Sequence, residues 1–402
     1  MGDFYQSNMV ATFHRLGNFD LERIERNLYE ISKYRGITLV LPCLYSELRG
    51  EALKNIVNEL REVKYIREIV ISLGRAGTDE FMHAKNFFSV LPQRTTIIWI
   101  DGPGTQSLLE EVREKELHTG PDGKGRSAWI AYGYIIAEQG SQIIALHDCD
   151  IITYSREMLA RLVLPVASTR MDYEFCKGYY SRVSNRMHGR VTRLFVTPLI
   201  RALMKTASDI DILKYYDSFR YPLSGEFSMI TDLARINRIP ADWGLEIGVL
   251  AEIYRNCSIN RICQTEICDN YDHKHQELAP DDPEKGLNKM AIDIAKSIFR
   301  ILATEGIVYN PGFFNTLRAA YLRIAQDTIV RYHGDAMING LEYDRHEEGT
   351  AVEVFSNAIR MAGEKITEDP LGPPQIPNWN RIFAAIPDFS EKLLKAVRND
   401  NS

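Results

Sequence analysis

The chain has no Cys-x-x-Cys pair: its six cysteines, Cys43, Cys149, Cys176, Cys257, Cys263 and Cys268, are scattered singly. That spacing argues against a zinc ribbon or a disulfide framework and suits reduced, mostly buried thiols. No apolar run approaches the roughly 18 residues needed to span a bilayer. The first residues, Met1–His14, contain no basic stretch leading into an apolar one, so a signal peptide is not expected. A cytoplasmic protein is the expectation. Neither sign of charge dominates: 48 basic against 54 acidic residues leave −6, which gives no hint of nucleic-acid binding. Internal repeats and low-complexity segments are missing too. The 402 residues are 45% hydrophobic, ample for a sizeable core.

From residue 37 the chain alternates short apolar runs with longer amphipathic stretches. Strands are expected at Ile37–Leu44, Ile66–Leu73, Thr95–Ile100 and Gln142–Leu146. Helices are expected over Glu51–Glu62, about Glu80–Val90, Leu108–Leu117 and Ser127–Glu138. Strands separated by helices of that length pair in parallel through right-handed crossovers, which predicts a doubly wound α/β domain. After residue 151 the pattern is mixed, with strands at Asp172–Tyr180 and Ser258–Ile267 and helices at Thr192–Lys205 and Leu245–Asn256. From Asn288 it becomes helical, over Asn288–Leu302, Phe314–Tyr332, Ala351–Ile366 and Asp388–Val397. The divisions fall at 1–36 (amphipathic), 37–151, 152–284 and 285–402 (a helical extension that covers the sheet or forms a dimer interface).

The strand at Gln142–Leu146 runs into His147-Asp-Cys-Asp150 and so delivers Asp148 and Asp150 to the rim where open α/β sheets bind ligands. Two carboxylates there can hold a divalent cation and, through it, a diphosphate. Gly120-Pro-Asp-Gly-Lys-Gly-Arg126 is a glycine-rich turn that opens a helix. It suits close approach to a phosphate but lacks the spacing of a Walker loop. Leu41-Pro-Cys-Leu-Tyr-Ser-Glu47 ends the first of these strands at the same rim and reads as a strand-to-helix loop or a cradle for a base and ribose. Ser72, at the end of the next strand, reads as a cap or a further contact.

Gly189-Arg-Val-Thr192 brings a guanidinium and a hydroxyl to a helix start, either as a solvated basic turn or as an anion site. Glu226, in Leu223-Ser-Gly-Glu226, can hydrogen-bond sugar hydroxyls or cap a helix over Phe227–Ala234. Asp242-Trp-Gly-Leu-Glu246 repeats that logic, with Trp243 either a face for a sugar ring or a core aromatic. Asp272-His-Lys-His275 offers an imidazole, from His273 or His275, to a metal site.

In this order the segments resemble the retaining glucosyl-3-phosphoglycerate and mannosyl-3-phosphoglycerate synthases. The matching stretches are Leu41-Pro-Cys-Leu44, Gly123-Lys-Gly-Arg-Ser-Ala-Trp129, Asp148-Cys-Asp-Ile151, Gly189-Arg-Val-Thr-Arg-Leu194, Tyr221-Pro-Leu-Ser-Gly-Glu226 and Trp243-Gly-Leu-Glu-Ile-Gly248 with the histidine segment after it. The resemblance covers about residues 37–280. It implies a GT-A fold, with 37–151 as the nucleotide-sugar half and 152–284 as the acceptor half.

The resemblance also implies roles. Asp150 and His273 would hold Mg2+ or Mn2+. Pro42, Leu44, Glu47, Ser72, Lys124, Asp148 and Glu226 would bind the donor. Gly189, Arg190, Val191 and Thr192 would bind 3-phosphoglycerate, and Glu226 and Asp148 are the catalytic candidates. The implied reaction moves a hexose, glucose by preference, from a nucleoside diphosphate to the acceptor's 2-hydroxyl. Alternatives are a mannosyl donor, unphosphorylated glycerate as acceptor, a sugar-nucleotide pyrophosphorylase, or a non-catalytic nucleotide-sugar-binding protein. A homodimer is expected, with no nucleic-acid or membrane partner.

Overall fold

The computed structural model describes residue 6 and residues 9–17, 19–207, 209–240, 244–273 and 277–402. Trp243 and His275 lie outside the described residues. The short apolar runs form β1 (Ala11–Phe13), β2 (Ile37–Leu44), β3 (Glu68–Gly74), β4 (Arg94–Trp99), β5 (Ile143–Leu146), β6 (Phe175–Tyr180), β7 (Phe227–Ile230) and β8 (Ile262–Cys268). Among the described residues they join one eight-stranded sheet in the order β1-β8-β6-β7-β5-β2-β3-β4. Every neighbouring pair is parallel except those of β7, which runs antiparallel to β5 and β6.

The strands read as nearly continuous apolar runs because both faces of the sheet are covered. Along β2 the side chains alternate between two cores: Ile37, Leu39, Leu41 and Cys43 face one, and Val40 faces the other. Helix Glu51–Arg61 shows how the covering works. Leu53, Ile56, Val57 and Leu60 recur at helical spacing and are the residues it buries. This is a doubly wound, mostly parallel sheet followed by a helical C-terminal part, the architecture that the GT-A resemblance implies.

Helix Arg345–Glu368 packs on both Gly286–Thr304 and Pro311–Asn339, and Glu342, in the segment just before it, pairs with Arg186 in the loop after β6. Further on, Trp379 stacks on Trp129 at 4.4 Å and 18°. Each indole donates to a carbonyl at this junction, Trp129 to Pro377 at 2.9 Å and Trp379 to Trp129 at 3.1 Å. Buried aromatic faces gain packing while their N–H groups stay satisfied. The contact fixes helix Lys124–Glu138, which carries Lys124 at its first position.

Two expected elements differ. Phe227–Ala234, expected as a helix capped by Glu226, is instead strand β7 followed by helix Thr231–Ile236. Pairing with strands on both sides overrides the local pattern. The helix expected over Thr192–Lys205 begins as a π-helical stretch, Val191–Val196, and becomes α-helical at Thr197–Thr206. Helix Arg156–Ala167, with Pro165 inside it, was not expected. Among the described residues no helix is long and apolar enough to cross a membrane.

Candidate active site

Because β7 is reversed, its first residue stands beside the last residue of β5 and the middle of β6: Phe227 is in register with both Leu146 and Lys177. That single reversal brings Glu226 to the rim where β5 delivers Asp148 and Asp150. Parallel β2 and β3 end at the same rim, with Pro42 opposite Ser72 and Leu44 opposite Gly74. Ser72 is buried, and its hydroxyl has no hydrogen-bond partner among the described residues. Glu47 lies in the short 3-10 turn Tyr45–Arg49 that follows β2.

Lys124 is the electrostatic hub. Its ammonium lies 2.6 Å from Asp148 Oδ1 and 3.3 Å from Glu246 Oε1. Burial works against its charge, but Asp148 and Glu246 outweigh it and hold the ammonium protonated well above the ordinary lysine range. Burial likewise opposes ionisation of Asp148, and Lys124 reverses the balance, leaving that carboxyl below its usual range. Gly225 sits against this pair. A Cβ there would meet the Asp148 carboxylate and stand 2.8 Å from Lys124 Nζ.

Asp150 behaves differently from Asp148. Burial and the neighbouring Asp148 charge push its carboxyl up to about 7. Its Oδ2 is 3.9 Å from Nδ1 of His273, and both side chains are partly exposed. One carboxylate and one imidazole at that separation fit a shared hard cation, whose other positions diphosphate oxygens and water can fill. The set does not reach three protein ligands: among the described residues no group of three or more His, Cys, Asp or Glu side chains forms a cation site. Both nitrogens of neighbouring His147, by contrast, are buried without hydrogen-bond partners among the described residues, and burial lowers that imidazole to about 3. A neutral core histidine is what remains.

Glu226 is fully buried. Tyr271 donates to its Oε1 at 2.7 Å, and Tyr180 and Ser224 donate to its Oε2 at 3.0 Å each. Burial and the Asp148 charge raise its pKa, while Lys124 and the Tyr271 and Ser224 donors pull the other way. Three donors leave acceptor capacity on a carboxylate, which offers about four lone-pair sites. Lys177, buried in β6, donates from Nζ to Ser224 O at 2.7 Å and so ties down the turn that carries Glu226.

The Gly189–Thr192 segment lies beyond this group. Gly189 has φ +69°, and a Cβ there would stand 3.2 Å from Tyr221 Oη. Tyr221 packs on Tyr180 at 4.8 Å, linking the segment to one of the donors to Glu226. Arg190 precedes the π-helical stretch and forks to Glu347 at 2.8 Å and Glu348 at 2.9 Å. Val191 is buried, and the buried Thr192 hydroxyl has no hydrogen-bond partner among the described residues.

The sequence reading missed Tyr180, Tyr271, Ser224 and Lys177. The signal for Lys177 was a lone charge inside an otherwise apolar strand, Phe175-Cys-Lys-Gly-Tyr-Tyr180. Tyr271 directly precedes the Asp272-His273 segment.

No family model matches the chain. Two curated proteins named glucosyl-3-phosphoglycerate synthase align along its whole length. The one from Persephonella marina is 48% identical over 402 residues, covering 100% of both chains. The one from Methanococcoides burtonii is 41% identical over 404 residues, covering 99% of this chain and 98% of its own.

Solved structures of glucosyl-3-phosphoglycerate synthase from Mycobacterium tuberculosis share the fold. One, in complex with Mn2+, UDP and glucosyl-3-phosphoglycerate, superposes with a TM-score of 0.53 at 18% identity, covering 75% of this chain and 90% of that one. Another, with Mn2+, UDP-glucose and phosphoglyceric acid, gives 0.54 at 18% identity and covers 76% and 90%.

Proposed function

The chain belongs to the glucosyl-3-phosphoglycerate synthase family, and from that membership we propose that it transfers glucose from a nucleoside-diphosphate donor to the 2-hydroxyl of 3-phospho-D-glycerate with retention of the α configuration. The gathering of Lys124, Asp148, Asp150, His273 and Glu226 at one sheet rim supports this activity most directly. UDP is the favoured donor nucleotide, since the Mycobacterium tuberculosis enzyme is solved with UDP-glucose.

Pro42, Leu44, Glu47 and Ser72 line the rim that receives the nucleoside. Lys124, fixed by Asp148 and Glu246, offers its positive charge to the diphosphate. Asp150 and His273 would hold Mg2+ or Mn2+, which when bound supplies Lewis-acid neutralisation of the leaving diphosphate. Glu226, oriented by two tyrosines and a serine, accepts hydroxyls of the glucose. Gly189, Arg190, Val191 and Thr192 receive the acceptor, with the guanidinium on its anionic groups.

The bond from glucose C1 to the diphosphate oxygen breaks as the bond from C1 to the glycerate 2-oxygen forms on the same face. The 2-hydroxyl proton passes to the departing phosphate oxygen. The protein's work is to position groups and stabilise charge.

We read the assembly as a homodimer. Val330, Met337 and Ile338 on helix Pro311–Asn339 are 58%, 69% and 87% exposed and offer it an apolar face. Light scattering that gives the mass of one chain would oppose this.

The test of activity is product formation with magnesium, 3-phosphoglycerate and a panel of UDP-, GDP- and ADP-linked glucose and mannose. Hexosylated phosphoglycerate from UDP-glucose is expected. Product with GDP-mannose alone would overturn the donor assignment, and no product from any donor would overturn the activity.

A further inference from the structure

The C-terminal extension reaches the proposed acceptor segment by a specific route. Glu342 N donates to Asn185 O at 2.9 Å, and the backbones of Glu342 and Arg186 form a parallel β-bridge, so the segment before helix Arg345–Glu368 is zipped to the loop after β6. Asp344 then caps the helix, accepting from His346 N at 2.8 Å and Glu347 N at 3.0 Å. Helical geometry from that cap sets Glu347 and Glu348 side by side on the arginines.

The two glutamates are not equivalent. Glu348 is buried and takes both Arg190 Nε at 2.9 Å and Arg193 Nη1 at 2.9 Å. Arg193 also donates to His188 O at 2.8 Å, so Glu348 anchors the loop and the guanidinium together. Glu347 is 47% exposed and takes only the outer nitrogen of Arg190, at 2.8 Å, with Arg186 3.9 Å away. A carboxylate on an outer guanidinium nitrogen stands where an anionic ligand would sit.

We propose that Glu347 competes with the acceptor for Arg190 and so tunes acceptor affinity, while Glu348 is the positioning residue that holds Arg190 in place. This rests on Arg190 binding the acceptor. An acceptor with a carboxylate and a phosphate displaces Glu347 from the outer nitrogen and leaves the buried Glu348 contact intact. The C-terminal helix thereby sets the acceptor affinity from outside the sheet. Because Glu347 is solvent-exposed, its competition is weak, on the order of a two- to fivefold effect.

The experiment is steady-state kinetics with 3-phosphoglycerate as the varied substrate, paired with calorimetric binding of 3-phosphoglycerate to the full chain. Glu347→Gln is expected to lower the acceptor KM and Kd about two- to fivefold, with the change falling on KM and not on kcat. An unchanged or raised value overturns the competition. Glu348→Gln is expected to move the acceptor KM in the opposite direction, and an unchanged value overturns the positioning role. Arg190→Ala separates the two readings. If it leaves the acceptor KM unchanged, the acceptor site itself is elsewhere. If it raises KM while Glu347→Gln changes nothing, only the competition fails.

Discussion

Tyr271 donates a 2.7 Å hydrogen bond to Glu226 Oε1 across 45 residues of sequence. Its ring stacks on Tyr180 at 3.8 Å and 6°, and Tyr180 donates to the other carboxylate oxygen. A charged acceptor makes such bonds worth about 1.5–3 kcal/mol. Tyr271→Phe keeps the stack and removes the donor. The expected result is a fall in kcat of roughly ten- to a hundredfold together with a loss of about 1.5–3 kcal/mol of stability from the buried carboxylate oxygen left short of a donor, measured by product formation and thermal denaturation. An unchanged kcat would detach this tyrosine from the reaction.

Gly225 owes its identity to the Lys124–Asp148 pair. Gly225→Ala places a methyl group against the carboxylate and the ammonium, and the pair must part to admit it. Donor KM should rise about tenfold or more, because a misplaced charge in a preorganised site loses its effect steeply. Titration of UDP checks this, and wild-type affinity would mean that the pair tolerates the methyl group.

Lys177 gives stability a pH dependence whose sign is fixed. Burial pushes its ammonium down from 10.5 to about 8. The unfolded chain therefore holds that proton more tightly than the folded one. Its cost to the fold is complete below pH 8 and disappears as the pH rises towards 10.5, a change of roughly 3 kcal/mol. In Lys177→Met that rise should vanish from denaturant-unfolding curves compared with wild type across this interval. Equal slopes in the two proteins would contradict it.

Much of this architecture was legible because it is written locally. Ile37–Leu44 and Leu245–Asn256 form the elements their apolar spacing implies, with those bounds. Asp148 and Asp150 arrive at the rim because the strand before them has nowhere else to end. What was hidden depends on partners distant in sequence. Phe227–Ile230 is too short to declare itself a strand, and only its pairing with β5 and β6 makes it one.

Tyr180 and Tyr271 look like core aromatics until the fold turns both hydroxyls onto Glu226. The Arg190 contacts with Glu347 and Glu348 span 157 and 158 residues, a relation that no local charge pattern encodes. Pro165 disguised helix Arg156–Ala167, whose buried Met158, Leu159, Leu162, Val163 and Val166 otherwise carry helical spacing.

The central claim is that Asp150 holds the cation on which transfer depends. It is tested most directly by titrating magnesium into wild type and Asp150→Ala while following hexosylated phosphoglycerate from UDP-glucose and 3-phosphoglycerate. Wild type should be silent after chelation and recover in a saturable way, whereas the variant, folded by circular dichroism, should form no product at any magnesium concentration. Wild-type turnover by the variant, or product formed in the presence of chelator, would contradict the account.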